Sequence, residues 1–160
     1  MIASFSIAIS SDANLRNHSY ALAGLFATAL VGQYHTFLVG SFRKASGVPY
    51  PNAYASAEDA SKDKDKFRFN CAQRAHSNYL ENLAVVLPAF LASAIHYPTV
   101  SSSLLGFWLA CRIVYTRGYV GSAHNSTGKG RYKGIFFHFA QFGLAITAGM
   151  SAWKLFSSGI

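Results

Sequence analysis

The sequence Tyr20-ALAGLFATALVGQYHTFLVGS-Phe42 decides the fold, because its 23 residues include no Lys, Arg, Asp or Glu. At about 1.5 Å per residue an α-helix of this length crosses a hydrocarbon core of about 30 Å. The stretch therefore predicts a membrane-spanning helix. It ends at Arg43-Lys44, and the sequence from Val48 to Pro51 then breaks the helical pattern with two prolines.

The rest of the chain predicts three more spanning helices. No charged residue occurs between Glu81 and Arg112, and this run is too long for one span. His96-Tyr97-Pro98 divides it into helices over about 74–96 and 101–119. A last helix is predicted over about 134–156. A three-span alternative needs Pro98 and the following serines in a helix centre, which is unfavourable. We predict one all-α domain over residues 1–160, a polytopic four-helix bundle.

The composition agrees with a membrane protein, since 51% of the residues are hydrophobic and 12% are charged, against about 25% charged in soluble domains. The net charge of +8 does not predict nucleic-acid binding, because the basic residues lie between apolar runs. They cluster before the second helix and before the fourth. The positive-inside rule places both clusters in the cytosol, where they also favour contact with anionic membrane lipids.

Charged residues inside the predicted spans require an explanation, since each costs about 2.5 to 3.5 kcal/mol on insertion. Arg74, Asn78 and Glu81 are spaced i, i+4, i+7, which predicts one polar stripe on the second helix. Arg112 heads a similar stripe on the third helix, which Tyr115 and Tyr119 continue.

Two interpretations of these stripes remain open. Guanidinium, carboxylate, amide and phenol groups on facing helices suit a zwitterionic, peptide-like ligand. The same groups can also join helices by polar contacts. Arg117 points away from the third helix's stripe. No His or Cys spacing predicts a zinc or haem site, so no metal is expected.

Two polar segments are predicted to be loops. The sequence from Lys62 to Arg68 alternates in charge sign and is expected to lie in water at the interface. The sequence from Gly128 to Arg131 lacks the context of a phosphate-binding loop and is expected to be a mobile cytosolic turn.

The sequence Phe69-NCAQRAHSNYL-Glu81 resembles the signature of the membrane-associated eicosanoid and glutathione (MAPEG) superfamily, and is most similar to its type 3 microsomal glutathione S-transferase branch. Phe42-Arg43-Lys44 upstream and the residues from Arg112 to Tyr119 downstream extend the resemblance over about residues 20–156. The resemblance implies a homotrimer in the endoplasmic reticulum or another internal membrane, with glutathione bound between subunits near the cytosolic face.

The resemblance also implies roles for individual residues. The glutathione contacts from one subunit would be Arg74, Asn78, Glu81, Tyr115 and Tyr119, and those from its neighbour Arg43 and His76. Lys44 stands where the leukotriene-forming members have a second arginine. Asn82 replaces a tyrosine of the leukotriene-forming enzyme.

The cation that activates the glutathione thiol has no direct counterpart in this sequence. Ser126 stands where the leukotriene-forming enzyme has its activating arginine, so Lys129 or Arg131 is expected to act instead. The cation would favour the glutathione thiolate, which attacks a lipophilic electrophile or lipid hydroperoxide that enters from the bilayer.

Three functions follow as hypotheses from these observations. The leading one is a membrane-bound glutathione transferase with possible peroxidase activity. The second is a non-catalytic lipid-presenting protein of the same superfamily, which would bind lipid without forming a thiolate. The third is a structural or transport subunit whose polar residues only join helices.

Overall fold

The computed structural model describes residues 2–122 and 127–159 of the chain, with side chains from residue 15 onward. These residues form five α-helices and one 3-10 helix, in the order α1 Ile2–Ser46, α2 Ala57–Lys62, α3 Lys64–Ala94, α4 Pro98–Gly121, the 3-10 helix Lys129–Gly134 and α5 Phe137–Ser157. The described residues contain no strand. The predicted all-α class with four long helices is confirmed.

All four long helices reach the length of a membrane span. α3 and α4 have 31 and 24 residues, and at about 1.5 Å per residue both exceed the hydrocarbon thickness of about 30 Å. Length and apolar composition together single out two stretches, Leu15–Ser46 and Lys129–Ser157.

The observed helices extend beyond several predicted limits. The first helix was predicted over 20–42 and runs over Ile2–Ser46, and the second begins at Lys64 instead of Arg74. The third begins with Pro98, because proline is tolerated in the first turn of a helix, where its missing N–H has no partner to lose.

The prediction that residues 62–68 form a loop is wrong, because the alternating charges support helices. Ser56 caps α2 by accepting the Asp59 N–H at 3.0 Å. The Asp63 carboxylate then caps α3 by accepting the Asp65 N–H at 2.8 Å. Charges three or four residues apart also pair along the helix surface, as Arg68 does with Asp65.

α3 lies at the centre of the bundle, where it packs against α1, α4 and α5. Tyr79 of α3 is fully buried, and its hydroxyl donates to the Thr28 carbonyl of α1 at 2.8 Å. α1 is joined to α4 by a 2.8 Å hydrogen bond between His35 Nε2 and the Thr116 hydroxyl. The same core contains the fully buried side chains of Val86, Phe90, Leu105, Trp108 and Leu144.

The outer surfaces of α1 and α5 are strongly apolar. Their exposed large side chains are Leu22, Phe26, Leu30 and Phe37 on α1, and Phe139, Phe142, Ile146 and Trp153 on α5. Bands of this kind on two helices of one bundle are the surfaces that a bilayer covers.

The segment before α5 is held tightly against α4 by glycines. A Cβ atom on Gly118 would overlap the Gly130 carbonyl, and one on Gly134 would overlap the Tyr115 backbone. Only glycine permits two backbones to approach so closely. The predicted turn over Gly128–Arg131 leads into a 3-10 helix that begins at Lys129 and packs on α4, and sequence patterns did not predict this packing because contacts between backbones leave no sign in a hydrophobicity pattern.

We expect Gly118→Ala to destabilise the protein by about 1 to 3 kcal/mol, the usual cost of overpacking. The matched control is Gly106→Ala on the same helix, where an added Cβ meets no atom within 4 Å. Alanine there should stabilise the helix by about 0.5 to 1 kcal/mol. Unfolding midpoints of the detergent-solubilised variants measure both effects, and equal midpoints for the two variants would contradict the contact.

Candidate functional site

The predicted stripe on α3 forms a bonded network. Arg74 Nη1 donates to Glu81 Oε1 at 2.6 Å, and Arg74 Nη2 donates to Glu81 Oε2 at 3.4 Å. The Asn78 amide also donates to Glu81 Oε2, at 3.4 Å. Both members of the ion pair have about half of their side-chain surface exposed. A ligand can therefore reach the guanidinium and the carboxylate together.

Asn78 has a free acceptor in this network. Its Oδ1 atom is buried and has no hydrogen-bond partner among the described residues. A buried amide oxygen without a partner is unfavourable, and a donor that enters the site, such as a peptide N–H, would remove that cost.

Two tyrosines of α4 adjoin the stripe on α3. The rings of Tyr115 and Tyr119 meet edge to face, with centroids 5.9 Å apart. Arg74 and Arg131 both lie within electrostatic range of both phenols. We call the set Arg74, Asn78, Glu81, Tyr115, Tyr119 and Arg131 the polar face of α3 and α4. The structure thus brings together six of the ten side chains predicted for the site.

The two candidate cations of the 3-10 helix differ in their surroundings. Arg131 is half-buried, with its guanidinium 5.1 Å from the Tyr119 ring centroid and 4.7 Å from that of Tyr132. It also donates to the Gly128 carbonyl at 3.0 Å. The Lys129 side chain is exposed. Arg131 is therefore the cation that the fold directs toward the polar face. Ser126 lies outside the described residues.

Arg112 belongs to the same region but was not among the predicted site residues. It is fully buried, and none of its three guanidinium nitrogens has a hydrogen-bond partner among the described residues. The Tyr115 and Phe137 rings lie 4.6 and 4.5 Å from its guanidinium carbon. The i, i+3 spacing of Arg112 and Tyr115 shows in the sequence that the two residues share one face of the helix. The sequence does not show that the Arg112 guanidinium lacks hydrogen-bond partners.

Three predicted residues lie apart from the polar face of the same chain. Arg43 donates to the Asn52 carbonyl at 2.8 Å and stacks between the Tyr50 and Phe69 rings. Lys44 is exposed at the end of α1. His76 lies on another side of α3, with its ring 5.8 Å from that of His35.

Comparison with known families places this geometry in context. The sequence model of the MAPEG family matches residues 21–153 of the chain. The match includes α3 and α4 completely, most of α5, the second half of α1 and every residue of the polar face. Together with the apolar surfaces of α1 and α5, it identifies an integral membrane protein.

We expect Arg112→Met to leave the unfolding midpoint of the ligand-free protein unchanged or higher. Replacing a buried charge with an apolar side chain of similar volume is often neutral or stabilising by about 1 to 4 kcal/mol. The control Arg68→Met removes an exposed cation, where little change is expected. A loss of about 3 kcal/mol or more in Arg112→Met would show instead that the guanidinium is bonded in the folded protein.

Proposed function

Because the chain belongs to the MAPEG family, we propose that it is a membrane-bound glutathione transferase that also reduces lipid hydroperoxides. Its substrates would be lipophilic electrophiles dissolved in the bilayer, and glutathione would be the co-substrate. The signature from Phe69 to Glu81 supports a place near the type 3 microsomal glutathione S-transferases. The observation that carries the proposal is the half-exposed Arg74–Glu81 pair beside two tyrosines.

Glutathione recognition follows from the charges of the polar face. Glutathione carries two carboxylates, one ammonium group and two peptide bonds. Arg74 offers a fork of N–H donors to a carboxylate, and Glu81 offers an acceptor to the ammonium. The buried Oδ1 of Asn78 would accept a peptide N–H once its side chain turned toward the ligand. The buried guanidinium of Arg112 adds positive potential close to Tyr115.

Thiol activation is assigned to Arg131 in this proposal. A free thiol with a pKa of about 8.5 is mostly protonated at neutral pH, and a nearby cation favours the thiolate. Arg131 is held over Tyr119 and is half-buried, where its charge is screened less than in water. Lys129 is exposed and has no such contact with a ring, so it is the second candidate for the activating cation.

The thiolate then performs one of two reactions. With an epoxide, the sulfur bonds to a ring carbon while the C–O single bond of the ring breaks, and a proton from water completes the alcohol. With an enone, the sulfur bonds to the β-carbon while the C=C π bond opens, and a proton from water completes the ketone. With a hydroperoxide, the sulfur bonds to the terminal oxygen and the O–O bond breaks, which releases an alcohol after protonation. A second glutathione then reduces the sulfenic acid and yields the disulfide and water.

The lipophilic partner would approach sideways from the bilayer. The family resemblance supports a homotrimer in the endoplasmic reticulum or another internal membrane, with the polar face toward the cytosol. In that assembly Arg43, Lys44 and His76 would act on the site of the neighbouring subunit. Arg43 would do so only if its guanidinium left the Asn52 carbonyl to which it donates.

The rival function is lipid presentation without catalysis. It predicts lipid binding but no activation of a thiol. Formation of glutathione thiolate by the purified protein therefore separates the two functions.

We expect Arg74→Gln to lower glutathione affinity about 10- to 100-fold, the usual effect of losing hydrogen bonds to a charged partner. Arg68→Gln, on the same helix, loses the same charge outside the polar face and should bind glutathione like the parent protein. Titration calorimetry in detergent measures both variants. Equal affinity of Arg74→Gln and the parent would remove Arg74 from the site.

We also expect Arg131→Gln to abolish the ultraviolet difference absorbance of glutathione thiolate, and Lys129→Gln to retain it. Each change removes one positive charge from the same 3-10 helix, so both variants lower the overall electrostatic potential of this region equally. Saturating glutathione keeps occupancy constant. A signal lost in Lys129→Gln and kept in Arg131→Gln would reverse the assignment, and no thiolate with any variant or the parent would favour lipid presentation.

A further inference from the structure

The loop between α1 and α2, residues 47–56, contributes none of the residues predicted for the site, yet it is fixed against α3. Arg43 of α1 donates to the Asn52 carbonyl at 2.8 Å. Asn70 of α3 accepts the Ala55 N–H at 2.8 Å and donates to the Ala55 carbonyl at 3.0 Å. The backbone of the loop is therefore tied to both long helices.

These bonds place Tyr54 at the edge of the polar face. Ala55, its neighbour in the chain, is buried, whereas 42% of the Tyr54 surface is exposed. The Tyr54 hydroxyl lies 3.4 Å from the Ser77 hydroxyl of α3. At about 100° per residue, Ser77 lies about 60° from Arg74 around the helix, so Tyr54 borders the stripe that Arg74 begins.

Phenols border Arg74 on two opposite sides. Cys71 and Ser77 each lie about 60° from Arg74, in opposite directions around α3. Tyr119 of α4 packs in the same cluster as Cys71, whereas Tyr54 adjoins Ser77. The Tyr54 phenol also lies within electrostatic range of the Arg74 guanidinium. A ligand on Arg74 therefore lies between one wall from α4 and another from the loop.

The Tyr54 hydroxyl can exchange its present partner for a ligand. Its 3.4 Å contact with Ser77 is longer than the usual distance of about 2.7 to 2.8 Å between hydrogen-bonded hydroxyls. A bond from a hydroxyl to a carboxylate is shorter and stronger, because the acceptor is charged. A carboxylate on the Arg74 guanidinium would thus gain a second donor from Tyr54.

We propose that Tyr54 binds the carboxylate of glutathione that Arg74 holds, as an O–H donor from the loop side of the site. This inference rests on the proposed function, because the ligand is the same glutathione. The loop is thereby a part of the glutathione site and not only a connection between helices.

The test compares glutathione affinities by titration calorimetry of the purified full chain in detergent. Tyr54→Phe removes only the hydroxyl and is expected to weaken binding about tenfold, as for a lost hydrogen bond to a charged group. The matched control is Tyr50→Phe, which removes an 80% exposed phenol hydroxyl from the same loop and retains the ring on Arg43. This control should bind glutathione like the parent. Equal affinities of Tyr54→Phe and the parent overturn the proposal.

Two further variants separate ligand binding from a structural role of the hydroxyl. Ser77→Ala removes the partner of Tyr54 in the ligand-free protein, and it should retain the affinity of the parent. Tyr54→Phe should cost less affinity in an Arg74→Gln background than in the parent, because both residues bind one carboxylate. A loss in Ser77→Ala as large as that in Tyr54→Phe would show that the contact only holds the loop, and the proposal fails.

The same titrations distinguish a failure of this inference from a failure of the proposed function. A parent protein that binds no glutathione contradicts both. An affinity that falls in Arg74→Gln but not in Tyr54→Phe retains the site on α3 and α4 and overturns only the role of Tyr54.

Discussion

The cost of placing charge among apolar helices constrains this protein more than any other interaction. Each unpaired cation at membrane depth costs about 2.5 to 3.5 kcal/mol, yet Arg74 and Glu81 lie in the middle of α3, Arg112 lies in the middle of α4, and Arg117 lies in the last two turns of α4. Glu81 is bonded to Arg74. Arg112 and Arg117 are therefore in no ion pair among the described residues, and α3 and α4 carry a surplus of positive charge.

The geometry of α4 separates the two remaining guanidiniums. Residues 115 and 119 share one side of the helix, and 117 lies about 160° around the helix from each of them. Backbone contacts at Gly118 hold the 3-10 helix on the first side. The hydrogen bond from Thr116 holds α1 on the other side. One helix thus carries the polar face on one side and the contact with α1 on the other.

Sequence patterns predicted the long helices and the polar stripes because both depend on periodicity. The run from Tyr20 to Phe42 and the spacing of Arg74, Asn78 and Glu81 are properties of one segment. Sequence patterns did not predict the contacts that join distant segments of the chain or that bring two backbones together. The approach of Gly118 to Gly130 involves no side chain, and the stacking of Arg43 between Tyr50 and Phe69 requires the loop to return to α3.

The hydrogen bonds that each guanidinium already makes distinguish the arginines better than their positions in the sequence do. Arg43 donates to backbone carbonyls of its own loop, so an incoming anion must displace existing bonds. Arg74 shares Glu81 and can exchange part of that pair for a ligand. Arg112 has only aromatic neighbours, so a carboxylate that approached it would gain charge-assisted hydrogen bonds without breaking any. The aromatic rings hold the Arg112 guanidinium in place but leave its N–H groups unpaired. The fold thus keeps a cation available for hydrogen bonding inside an apolar bundle.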